Sequence, residues 1–104
     1  MTTTKYILDG QTPVPVDTLT WAKWYETAYR RVARDEIGPY QISTVFLGYE
    51  PNLFETMVFK GDFSDLWCEH SSTWEKAEAA HKRGCEYVKN ELLSRKDENA
   101  PRSP

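Results

Sequence analysis

The sequence predicts an α+β domain: a three- or four-stranded antiparallel meander covered by a C-terminal amphipathic helix, with a short N-terminal helix and an extended arm. Three observations predict it. Residues 42–62, ISTVFLGYEPNLFETMVFKGD, are β-branched and aromatic, and a Gly-Tyr-Glu-Pro-Asn break divides them into two short runs, the pattern of two adjacent antiparallel strands. Trp74, Ala77, His81, Gly84, Cys85, Val88 and Leu92 recur at three- and four-residue spacings, a stripe suited to covering one sheet face. Ile37-Gly38-Pro39-Tyr40 is a compact, hairpin-like link, so the segment before it pairs with the segment after it.

Each element follows in order. Residues 1–16 hold Tyr6-Ile7-Leu8, an Asp9-Gly10 turn signal and Pro13-Val14-Pro15-Val16; the prolines rule out a central strand and leave an extended arm or loose hairpin. Asp17 or Thr18 caps a short helix whose apolar positions are Leu19, Trp21, Trp24, Tyr25 and Ala28. Residues 29–37 read as helix or strand, and the short link to Tyr40 favours strand. In the central runs Ile42, Thr44 and Phe46 share one face and Val45, Leu47 and Tyr49 the other; Phe54, Thr56 and Val58 oppose Leu53, Glu55, Met57 and Phe59. Neither face is purely polar, so one asks for cover and the other is open to a partner. Residues 60–65 are a turn, and Leu66 to His70 a fourth, edge strand. Ser72 with Glu75 forms a capping box for the C-terminal helix, whose outer side is Glu, Lys and Arg with Glu78 four residues before Lys82. From Ser94 the chain is expected to be a disordered tail, which makes residues 17–93 the domain proper.

At 104 residues the chain forms one core, supplied chiefly by its four Trp, six Tyr and four Phe. The formal charge of -3 disfavours a nucleic-acid role, since phosphate binding needs clustered cations. With no leader pattern and no long apolar run, a soluble protein of the cytoplasm, without a membrane partner, is expected. Two cysteines, Cys68 and Cys85, are too few for a disulfide scaffold.

The motifs Leu8-Asp9-Gly10, Trp21-Ala22 with Trp24, Ser43-Thr44-Val45-Phe46-Leu47-Gly48, Leu53-Phe54-Glu55-Thr56-Met57-Val58-Phe59 and Ser72-Thr73-Trp74-Glu75-Lys76-Ala77 with His81 together resemble a family of small uncharacterised proteins encoded by bacteriophages and prophages. The likeness runs from about residue 6 to residue 88, and the link from Tyr49 to Asn52 is shorter than the Gly- and Pro-rich loop of that pattern. The resemblance implies a phage-derived protein in the host cytoplasm and implies no activity.

Four constellations carry chemistry. Cys68 and His70 share a face of a strand, and His81 and Cys85 share a face of a helix, so the four are a candidate zinc quartet; the structural alternative is buried thiols with a hydrogen-bonded core histidine. Cys68 or Cys85 with His81 offers a thiol nucleophile and base. Glu55, in the most apolar strand, is expected to pair across strands with Arg30, Arg31 or Arg34, or to touch a ligand. Arg30, Arg31 and Arg34 with Tyr25, Tyr29 and Tyr40 make a candidate cationic, aromatic pocket for a nucleotide or other phosphorylated ligand, against the alternative of a solvated charge row. The leading expectation is a non-enzymatic phage accessory protein that binds a host protein, with a homodimer through the open face or a sheet edge also foreseen. Sequestration of a small nucleotide-like ligand is second and a zinc-stabilised interaction module third. An enzyme comes last, because no nucleophile elbow, P-loop or paired-His helix is present.

Overall fold

The structure, a computed structural model, describes residues 4–99. Strands β1 (Lys5–Asp9) and β2 (Thr12–Val16) form a two-stranded hairpin, α1 (Thr18–Thr27) follows, and β3 (Arg31–Ile37), β4 (Tyr40–Phe46), β5 (Phe54–Lys60) and β6 (Phe63–Ser71) make a four-stranded antiparallel meander in sequence order. Helix α2 (Trp74–Asn99) closes the chain and packs across all four strands. The fold is thus α+β with a helix-covered meander. Of residues 29–37 the stretch Arg31–Ile37 adopts the strand alternative, and the arm is a paired hairpin in which Pro13 and Pro15 stand opposite Leu8 and Tyr6.

Alternation explains the layering. Tyr40, Ile42, Thr44 and Phe46 of β4 and Phe54, Thr56 and Val58 of β5 are all buried, while the residues between them are half-buried or exposed. Register sets Ile42 opposite Val58, Thr44 opposite Thr56 and Phe46 opposite Phe54. Helix α2 lays Ala77, Ala80, His81, Gly84 and Val88 on this face, which adds Ala80 to the stripe read from the sequence. At Gly84 an added methyl group would sit 3.1 Å from Ile42 and 3.2 Å from Trp67, so a residue that weakens helices buys close helix-to-sheet approach here.

Two apolar clusters result. One joins Tyr40, Ile42, Val58 and Val88; the other joins Phe46, Leu53, Phe54 and Ala77, flanked by Tyr6, Leu8, Trp24, Val32 and Trp74. The second cluster is a run of edge-to-face rings, Trp24 to Phe46 at 5.6 Å, Phe46 to Phe54 at 5.1 Å and Phe54 to Trp74 at 6.2 Å.

Two local readings are corrected. The cap of α2 is Thr73 and not Ser72: Thr73 Oγ1 accepts from the Lys76 N–H at 3.1 Å, and with Lys76 three residues on there is no reciprocal carboxylate, so no capping box forms. Helix α2 also continues past Ser94 to Asn99, because Ser-Arg-Lys-Asp-Glu-Asn holds no Gly or Pro to end it; residues 100–104 of the expected tail lie outside the described residues. For α1 the cap is Asp17, whose carboxylate accepts from the Thr20 N–H at 2.7 Å and is thereby held below its ordinary pKa.

The hairpin docks at Gly48. Tyr6 N–H donates to Gly48 O at 2.7 Å, Lys5 bridges to Tyr49, and Trp21 Nε1 donates to Leu47 O at 3.3 Å. Gly48 has φ +80°, and a Cβ there would lie 2.5 Å from Tyr6 O and 2.6 Å from Trp21 Nε1. Gly48→Ala should therefore cost about 1–3 kcal/mol, measured by urea denaturation of the two proteins, with the loss arising from both the backbone conformation and the displaced hairpin.

Candidate functional site

Between the two apolar clusters the buried face turns polar. Thr44 and Thr56, mid-strand neighbours, share a hydrogen bond of 2.7 Å, and Thr44 Oγ1 lies 2.8 Å from His81 Nδ1. The other ring nitrogen, Nε2, lies 2.7 Å from Asp35 Oδ2. Asp35 comes from the edge strand β3, on the face it shares with Ala33 and Ile37, and its side chain is 56% exposed. The row therefore runs from the buried centre of the sheet to solvent through a single imidazole.

One helical turn beyond His81, the Cys85 thiol donates toward Asp35 Oδ2 at 3.7 Å. Burial and then the neighbouring Asp35 carboxylate raise the thiol's pKa, with Lys89 opposing. These side chains open on a groove of about 620 Å³ between β3 and α2, rimmed by Glu78, Lys82, Glu86 and Lys89. The donor atoms of Asp35, His81 and Cys85 lie within 4.8 Å of one another.

The zinc quartet read from the sequence does not converge. On β6, Trp67 and Glu69 stand opposite Val58 and Thr56 and so face α2, which sends Cys68 and His70 to the opposite side of the sheet from His81 and Cys85. There a second set gathers, Glu55, Cys68 and His70, also with donor atoms within 4.8 Å of one another. Glu55 is paired with His70 at 3.1 Å and not with an arginine, because Val45 stands between Arg31 and Glu55 in the cross-strand row. The cysteine and histidine pairing is likewise revised: His81 bonds Thr44 and Asp35, and the Cys85 thiol faces a carboxylate, an arrangement that opposes thiolate formation.

The arginine and tyrosine set is only partly assembled. Arg30 stacks its guanidinium 3.7 Å above the Tyr25 ring, and Tyr29, 80% exposed, lies with Arg30 and Arg31 along a cleft of about 240 Å³. Arg34 instead pairs with Glu36 at 3.0 Å. Tyr40 is 2% exposed at the far end of β4, in the cluster with Ile42 and Val88, and takes no part in that cleft.

Asp35, Thr44 and Thr56 are the site residues that the candidate sets omitted. A carboxylate between Ala33 and Ile37 at alternating positions, aimed at the face that carries Thr44, is the signal that marks Asp35. No family model, curated protein or solved structure matches the chain. Among the described residues no helix is long and apolar enough to cross a membrane.

Because thiolate is the reactive form, the Asp35 carboxylate should slow alkylation of Cys85. In a Cys68→Ser background, Asp35→Asn is expected to raise the iodoacetamide rate at neutral pH severalfold and to move the pH–rate curve to lower pH; an unchanged curve would show that burial alone sets the thiol's acidity.

Proposed function

We propose that the protein acts by binding a partner protein on the sheet face opposite α2, and that it has no catalytic role. The observation that carries this reading is the make-up of that face. Val45, Met57 and Phe59 are half-buried and Leu66 is 38% exposed, and they sit amid Arg31, the Arg34–Glu36 pair and the Glu55–His70 pair. An apolar centre with a charged rim is the anatomy of a protein interface. Helix α2 lies on the other side, where Trp24 of α1 also reaches Phe46.

The occupant proposed is a host protein, following the resemblance to phage-encoded proteins, and the net charge of -3 favours one with a basic contact surface. The test is Met57→Glu, which places a charge at the centre of the face without entering the core. A partner captured from host lysate, then purified, should bind the variant at least about tenfold more weakly than the parent while the melting temperature stays the same. Equal binding by both proteins overturns the reading. So does a concentration-dependent dimer of the parent that Met57→Glu abolishes, since a second copy would then hold the face.

A second reading, sequestration of a small phosphorylated ligand, is favoured by one observation: Arg30 Nε is buried and has no hydrogen-bond partner among the described residues. The neighbouring cleft is small for a nucleotide, since ligand pockets usually enclose about 300–1,000 Å³. Adenosine monophosphate at millimolar concentration should raise the melting temperature of the parent and leave that of Arg31→Ala unmoved; no rise in the parent ends this reading.

A further inference from the structure

The groove on the helix side of the sheet gathers a donor set that spacing in the sequence does not reveal. We propose that Asp35, His81 and Cys85 form a transition-metal site that takes Zn²⁺ with a water molecule in the fourth position. Carboxylate, imidazole and thiolate are the three protein donors zinc accepts, and three of them with one open position make a four-coordinate site.

The two helical donors are four residues apart and so lie on one side of α2, and Asp35 meets them from β3. The imidazole is aimed. Nε2–H donates to the Asp35 carboxylate; as a metal binds, the ring proton shifts to Nδ1 and donates to Thr44 Oγ1, the Thr44 hydroxyl donates in turn to Thr56, and the Nε2 lone pair is left pointing at the groove. Bonds of this kind hold the tautomer and ring orientation of histidines that bind metals. They are supplied here by two fully buried threonines.

One of the donor contacts must open. Donors around a tetrahedral zinc with bonds of about 2.0–2.3 Å stand about 3.2–3.8 Å apart. Cys85 Sγ is already 3.7 Å from Asp35 Oδ2, whereas Asp35 Oδ2 and His81 Nε2 are 2.7 Å apart. Asp35 lies on an edge strand with over half its side chain exposed, so opening that contact displaces no packed neighbour. On binding, Sγ bonds the metal as its proton leaves to solvent, and the thiolate and carboxylate charges balance Zn²⁺. Glu78, Lys82, Glu86 and Lys89 around the groove are matched in number and sign. The other trio, Glu55, Cys68 and His70, lies on the opposite sheet face, with the His70 imidazole held by the half-buried Glu55 at 3.1 Å, and it is the natural control.

The experiment titrates the reduced, full-length chain with Co²⁺ and then displaces it with Zn²⁺ against a chromophoric chelator. Expected are one metal per chain, the visible bands of tetrahedral cobalt and a near-ultraviolet thiolate charge-transfer band. Cys85→Ser should abolish the charge-transfer band, Asp35→Asn should weaken zinc at least tenfold, and Thr44→Val should weaken it about 10–100-fold through the imidazole. The Cys68→Ser, His70→Ala double variant should bind as the parent does. Asp35 is exposed and Cys85→Ser is close to isosteric, and an unchanged melting temperature in each variant separates loss of metal from loss of folding. The proposal is overturned by an absent cobalt spectrum, by a charge-transfer band that survives Cys85→Ser, or by metal binding that is lost only in the double variant.

Discussion

The register of β4 on β5 is the constraint on which the remaining structure depends. It stacks three cross-strand pairs on one face, Ile42 with Val58, Thr44 with Thr56 and Phe46 with Phe54, so the face is apolar, then polar, then apolar along its length. A slip of one residue would send one strand's three side chains to the other face, away from their three partners. Helix α2 answers the same order, with Val88 over the first pair, His81 over the second and Ala77 over the third. Each large apolar side chain buried in this way stabilises the fold by about 1.5–3 kcal/mol, against about 1 kcal/mol net for a typical hydrogen bond. The rings and branched aliphatics therefore hold the helix on the sheet, and the hydroxyl and imidazole row decides where along the sheet it sits.

Much of this architecture was legible because strand and helix periods differ. The alternation in Ile42 to Phe46 and Phe54 to Val58 and the stripe from Trp74 to Val88 have one structural solution each, and the Gly38-Pro39 link brought Arg31 to Ile37 in as a strand. Errors gathered at ends, where signals compete locally. Ser72 and Thr73 offer the same capping chemistry one residue apart, and the choice falls to Thr73 because β6 keeps pairing through Ser71. At the other end the polar composition after Ser94 suits solvent equally as helix and as coil.

The site was less legible, for a reason of parity. Spacing tells which residues of one element share a face, but not which face turns toward another element when both are partly apolar. Cys68 and His70 do share a side, as do His81 and Cys85, yet the sheet lies between the two pairs because Trp67, the larger ring, takes the helix-facing position. Glu55 shows the same limit across strands. Its neighbour is fixed by register, and register put Val45 on one side of it and His70 on the other.

Stability does not explain the polar row at the centre of the core. Apolar side chains of similar volume at Thr44, Thr56 and His81 would remove the hydrogen bonds together with the desolvation they offset, an exchange that is often neutral or favourable. A histidine bonded through two threonines on one nitrogen, and presented on the other to a half-exposed carboxylate and a thiol, is a more specific arrangement than packing requires. Departures from local rules of this kind gather at sites that bind or react. The sheet thus separates two surfaces of different chemistry, a face with an apolar centre and a charged rim and a groove of nitrogen, oxygen and sulfur donors. Strand β3 belongs to both, with Arg34 and Glu36 on one side and Asp35 on the other.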